Sequence, residues 1–106
     1  MKIGKLRHRV TIQKLISTPD GGGGSTKTWI DDATVWAAIE PLRGGERYVA
    51  QQVQSELTHK ITMRYREGIK PQMRIKYKDR IFEIWSVIDI DERRIWLEML
   101  CSEVVR

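Results

Sequence analysis

Residues Leu57–Arg66, LTHKITMRYR, alternate without a break. Leu57, His59, Ile61, Met63 and Tyr65 fall on one side, and Thr58, Lys60, Thr62, Arg64 and Arg66 on the other. A period of two is the pattern of a strand with one face in a core and the other in water. Toward the C-terminus the pattern returns in MRIKYK, where Met73, Ile75 and Tyr77 alternate with Arg74, Lys76 and Lys78. RIFEIWSVIDI (80–90) and RIWLEMLCSEV (94–104) follow, joined by a turn at Asp91–Arg94, and Lys78–Asp79 suits a tight hairpin turn. Toward the N-terminus, LRHRVTIQ sets Leu6, His8, Val10 and Ile12 against Arg7, Arg9, Thr11 and Gln13. Residues 26–40 read as a strand broken at Asp31–Asp32 and ending in VWAAIEP.

One segment departs from this period. In RGGERYVAQQVQSEL (43–57), Val49, Val53 and Leu57 recur at helical spacing with Ala50 beside them, after the paired glycines Gly44 and Gly45. The stripe is thin, so the segment is expected as a short helix if something packs on it and as a long loop otherwise. About six strands with one such insertion predict a mainly β fold, a small antiparallel barrel or sandwich whose closure would protect its edges.

The 106 residues suit a single domain, 1–106, with one core and no cleft between lobes. Cys101 is the only cysteine, which excludes an intramolecular disulfide and a four-cysteine zinc site and fits a reducing compartment. Met1–Val10 is charged, and no apolar run approaches the ~20 residues that cross a bilayer, so no membrane segment or secretion signal is expected.

TPDGGGGSTKTW (18–29) poses a separate question. A phosphate-binding loop needs Gly-x-x-x-x-Gly-Lys-Ser/Thr at a strand-to-helix junction. Here Ser25 and Thr26 precede Lys27, and the next element reads as strand. Gly21, Gly22, Gly23 and Gly24 are therefore read as the flexible tip, 18–27, of a hairpin, able to touch a partner.

Catalysis has little support. Cys101, His8 and His59 lie on apolar strand faces, and nothing nearby in sequence lowers the thiol pKa. Asp89, Asp91 and Glu92 flank a turn, where acids are usually solvated. No enzyme, metal or cofactor is expected.

The net charge is +5. Between Thr58 and Lys78 seven basic residues face one acid, whereas seven acids and three arginines lie between Asp79 and Glu103. The segments are either solvated faces or opposed patches by which copies stack, with Arg64, Arg74 and Lys76 set against Glu83 and Glu98. Ile95, Leu97, Met99 and Cys101 are expected in the core, with Trp96 and Leu100 pointing away. Phe82, Ile84 and Ile88 are likewise set inward, and Trp85 and Val87 outward. This second apolar face is either a subunit interface or the seat of the inserted helix. Lys60, Arg64, Arg66, Arg74, Lys76 and Lys78, aligned on adjacent strands beside aromatics, leave open an oligonucleotide-binding type of barrel.

Taken together, GKLRHRVTIQ, VWAAIEPLRGGERYVAQQ, HKITMRYREGIKPQMRIKY and RIFEIWSVIDIDERRIWLEMLCSE resemble the head–tail joining, or head-closure, proteins of tailed bacteriophages. The resemblance runs in order from Gly4 to Glu103, with Trp36-Ala37, Gly45-Glu46 and ITMRYREGI its most typical parts. It implies a virion protein, assembled in the host cytoplasm, that forms a ring of about twelve copies. The ring sits below the portal or adaptor, retains packaged double-stranded DNA and receives a tail-completion or tail-tube protein. The insert at 41–56 would face the channel, swinging on Gly44 and Gly45 and lined by Arg43, Arg47, Gln51, Gln52 and Gln54. Trp85, Trp96 and Leu100 would be buried between subunits.

Overall fold

The structure, a computed structural model, describes residues 6–104, so Gly4 and Lys5 of the first family motif lie outside it. The elements are β1 (His8–Pro19), β2 (Ser25–Pro41), α1 (Gly44–Val53), β3 (His59–Arg64), β4 (Arg74–Tyr77), β5 (Arg80–Asp89), a 3-10 turn (Ile90–Glu92) and β6 (Trp96–Glu103). The six strands form a closed antiparallel barrel in the cyclic order β1-β2-β3-β6-β5-β4. Three pairs, Thr11, Ile12 and Gln13 with Lys76, Ile75 and Arg74, complete the closure between β1 and β4.

The inward set of each strand fills the barrel. Val10, Ile12, Ala37, Ile61, Ile75, Phe82, Met99 and Cys101 have no exposed surface, and Leu97, Met63 and Ile84 pack with them. Burial of this kind contributes roughly 25 cal/mol per Å² of apolar surface and is the main stabilising term.

Two bulges reset the alternation. In β1–β2, Gln13 pairs with Asp31 and Ile12 with Ala33, leaving Asp32 as the extra residue. The expected break at Asp31–Asp32 is thus a bulge inside one 17-residue strand. In β5–β6, Ile84 pairs with Cys101 and Ser86 with Leu100, so Trp85 is the extra residue. Beyond it the parity inverts. Val87 packs on the core, while Ile88 points outward, opposite to the expectation for both. Ile95 also corrects the sequence reading: it is exposed in the turn before β6, where its carbonyl accepts a hydrogen bond from Tyr65 N–H at 2.9 Å.

Beyond the first bulge, β1 and β2 leave the barrel as a two-stranded ribbon, which accounts for a long axis of 51 Å against 28 and 27 Å. The ladder persists to Pro19 and Ser25, so the turn is Asp20–Gly24. Asp20 Oδ1 accepts hydrogen bonds from the Gly22 and Gly24 amides at 2.8 and 3.2 Å. Gly21 and Gly23 adopt φ of 84° and 87°, the region that favours glycine.

The inserted helix ends at Val53, before Leu57. Ala50 is its only buried residue and packs with Leu42, Leu57 and the half-buried Leu100. Val49 and Val53 are exposed, so the expected stripe does not face the barrel. Leu57 reaches the same cluster from extended chain, so the helical spacing gave the expected short helix but neither its end nor its buried face.

Phe82→Ala should lower stability by about 3–5 kcal/mol, because a barrel wall cannot collapse into the void. Denaturant unfolding would read this as a fall in the midpoint at unchanged slope.

Candidate assembly surfaces

The first surface lies between α1 and the outer face of β5 and β6. Leu42 N–H donates to Thr58 O at 2.9 Å, which sets the start of the insert. Arg43 is extended (φ −136°), and Gly44 enters the helix at φ +53° with open space around it. Lys60 Nζ reaches Glu46 Oε2 at 3.0 Å, and Gln51 Nε2 donates to Leu57 O at 2.9 Å. These contacts hold α1 along one side only. A groove of about 710 Å³ remains, lined by Val49, Ala50, Val53, Trp85, Leu100 and the carboxylates of Glu46 and Glu98, among others. Trp85 stands over it from its bulge, 42% exposed.

Of the residues expected to face a channel, Arg43, Gly44, Gly45, Arg47 and Gln52 are exposed. Gln51 and Gln54 are half-buried, the former tied to Leu57 and the latter accepting from Glu56 N–H at 3.4 Å. Of the residues expected between subunits, Trp85, Leu100 and Glu98 share the groove. Trp96 sits elsewhere, with the Arg64 guanidinium 5.3 Å from its ring centroid. Glu83 and Arg74 are register partners on β5 and β4. Arg74 is held at the base of the ribbon, its guanidinium 4.2 Å from the Trp29 ring and its Nε donating to Gln13 Oε1 at 2.7 Å. Lys76 is exposed on β4.

Sequence reasoning missed a second surface. Trp36 is 51% exposed, more than any other tryptophan, with Arg9 Cζ 5.2 Å from its ring. Around it is a recess of about 650 Å³ whose charged lining is Arg9, Arg64 and Arg66, with no acidic side chain. The available signal was its parity, since Trp36 lies one step out of phase with the inward Val35 and Ala37.

The basic stripe needed by an oligonucleotide-binding barrel does not form. Arg64 is on β3, and Arg74 and Lys76 are on β4, which stand three places apart in a six-strand cycle and so on opposite walls. The two-residue turn at Lys78–Asp79 commits β4 to β5, while β3 joins β2 and β6. Tyr65 and Tyr77 pack against the core and offer no outer stacking platform.

A polar cluster at one end of the barrel also escaped the sequence reading. Arg80 makes two bonds to Glu103, Nε to Oε2 at 2.8 Å and Nη2 to Oε1 at 3.0 Å. His59 Nδ1 lies 2.9 Å from Thr58 Oγ1, which also accepts from Glu103 N–H at 2.9 Å. Burial holds His59 below its ordinary value, with Arg80 and Arg47 reinforcing and Glu103 opposing. The Arg80 hydrogen bond holds Glu103 below the usual carboxylate range. Cys101 is sealed in the core, and burial pushes its thiol up to about 12. Among the described residues, no three His, Cys, Asp or Glu side chains gather as metal ligands.

A sequence profile of the phage head completion proteins matches residues 1–104. The chain belongs to this family. It is accordingly a structural component of a phage virion. Head completion protein gp16 of Bacillus phage SPP1 is 33% identical over 72 residues, which are 68% of this chain and 66% of gp16, just under two thirds. The solution structure of protein SF1141 from Shigella flexneri 2a is 34% identical, with a TM-score of 0.80 over 100% of this chain and 99% of that one. A chain in the virion of a native gene transfer agent particle shares the fold, with a TM-score of 0.69 at 23% identity over 98% of this chain and 100% of that one.

The polar cluster sets a pH dependence. A histidine held low is neutral in the fold, so its contribution is present above its ordinary value of 6.5 and is lost as the pH falls below it. Glu103, also held low, contributes above its ordinary 4.5 and loses that contribution as the pH falls further. Thermal melts should therefore decline in two stages on acidification. His59→Gln should flatten the first stage and Glu103→Gln the second.

Proposed function

We propose that copies of this chain form a ring at the head–tail junction, of about twelve subunits, that closes the portal channel after packaging and presents the surface to which the tail attaches. The observation that carries this reading is the family match over residues 1–104, nearly the whole chain. The barrel supplies a rigid body, and α1, held along one side, supplies an element that can shift without unfolding it.

In this reading α1 and its approach face the channel. Arg43, Arg47 and Gln52 are free to meet phosphates, and contacts to phosphate retain duplex DNA without reading its sequence. The ring meets the portal or adaptor on one side and a tail-completion or tail-tube protein on the other. The Asp20–Gly24 turn at the ribbon's end is the exposed element placed to reach such a partner. Action is by assembly rather than catalysis, and the protein is assembled into particles in the host cytoplasm.

Electron microscopy of tailless particles tests the placement. Density for this chain should encircle the portal axis with residues 41–56 toward the lumen; finding α1 on the outer circumference would refute the channel role. The two glycines should behave differently. Gly45→Ala meets open space and should strengthen α1 by about 0.5–1 kcal/mol. Gly44→Ala forces a side chain into φ +53° and should destabilise the entry by about 1 kcal/mol or more. Particles carrying Gly44→Ala should lose retained DNA or fail to release it, measured as genome content and infectivity.

A further inference from the structure

The two recesses are different surfaces of one barrel: the Trp36 recess spans β1, β2 and β3, and the Trp85 groove lies between α1 and strands β5 and β6. In the cycle β1-β2-β3-β6-β5-β4 the two tryptophans stand on strands three places apart, β2 and β5, while Arg64 and Glu98, one from each recess, stand on the neighbouring strands β3 and β6. Each is a half-exposed tryptophan beside an open recess, and no segment of the described chain covers either. A fully buried aromatic side chain removes on the order of 150–250 Å² from water, and about half of that remains to be covered at each of these two rings.

Their charges are opposite in sign. The Trp36 recess is lined by Arg9, Arg64 and Arg66 without an acid. The Trp85 groove has Glu46 and Glu98 as its charged lining and no basic side chain; Glu46 is paired with Lys60 at 3.0 Å, and no salt bridge engages Glu98 among the described residues. A contact of one recess with its own copy would place like charges together. A contact between unlike recesses pairs them.

We infer that copies of this chain join head to tail, with the arginine-lined Trp36 face of one seated on the acid-rimmed Trp85 groove of the next. Because the two patches are different surfaces of the chain, the contact is heterologous and repeats from copy to copy, as a ring requires. Complementary charge sets which faces meet, and the exposed apolar lining of Val49 and Val53, with Leu100 beneath, supplies the area to be buried. The partner of the groove is thus another copy, and the covering absent from Val49 and Val53 within one chain comes from its neighbour. The ring reading above supplies only the place where this contact is used; the contact itself stands on the geometry.

Cysteine trapping decides it. Thr34 lies in the arginine recess and Val49 in the groove, both exposed, while Cys101 is buried and can remain. Purified Thr34→Cys/Val49→Cys protein, checked for fold by circular dichroism, is oxidised at high concentration, and the same variant is oxidised in particles. The expected result is a ladder of covalent multimers in either setting, with each single variant monomeric and a mixture of the two singles stopping at dimers. Arg9→Glu/Arg64→Glu in the same background should reduce the ladder about tenfold, and addition of Glu98→Lys should restore part of it. Salt near 1 M should lower the yield about fivefold. Dimers from a single variant would mean that like faces meet, and would overturn the inference. So would absence of a ladder in both settings. If Arg9 and Arg64 serve DNA phosphates instead, their reversal abolishes duplex binding and leaves crosslinking unchanged, which also overturns it. Absence of the polypeptide from the portal vertex would refute the ring's location, while the ladder in solution still judges the contact.

Discussion

The structure depends on three residue pairs. Thr11, Ile12 and Gln13 meet Lys76, Ile75 and Arg74 and join the first strand to the fourth. Without them the sheet would be open, with β1 and β4 exposing unpaired edges. With them, inward side chains meet across a sealed interior, and Cys101 is shut away from solvent. Arg74 guards the same junction, since its guanidinium packs on Trp29 and bonds to Gln13. That is a structural use for a residue whose charge suggested a partner.

Closure also converts a list of strands into a molecule with defined sides. Six strands in a ring place each one opposite another. Charges that run in blocks along the sequence are thereby redistributed: the acidic β5 and β6 lie together, with β4 on one flank and β3 on the other. A basic chain with an acid-rimmed groove on one surface and an arginine recess on a different one has direction. Direction is the property that a subunit repeated around an axis needs.

Much of this was legible in the sequence, for an identifiable reason. A strand with one face in a barrel must alternate, and LTHKITMRYR, MRIKYK and LRHRVTIQ do so. The strand count and the tight turn at Lys78–Asp79 followed directly. The bulges were not legible, because one extra residue inverts parity without changing composition, and Val87, Ile88 and the continuity of β2 were misjudged for that cause. The insert misled because Val49 and Val53 continue a helical spacing that the barrel ignores in favour of Ala50, which is small enough for close approach. Trp36 passed unnoticed as a surface residue because a tryptophan inside a strand is ordinarily read as core. The Arg80–Glu103 pair joins residues 23 positions apart, a proximity that only the pairing of strands creates.

The order of strands bears on how the polypeptide is made. β6 is synthesised last of the six, yet it lies between β3 and β5 rather than at a margin. Until it emerges, both neighbours offer bare edges to any other nascent chain. Contacts between distant parts of the sequence dominate the finished sheet, which slows folding relative to a helical domain of equal size. Heating an infected culture, or crowding many translating copies together, therefore endangers this molecule most in the interval before its final strand is released.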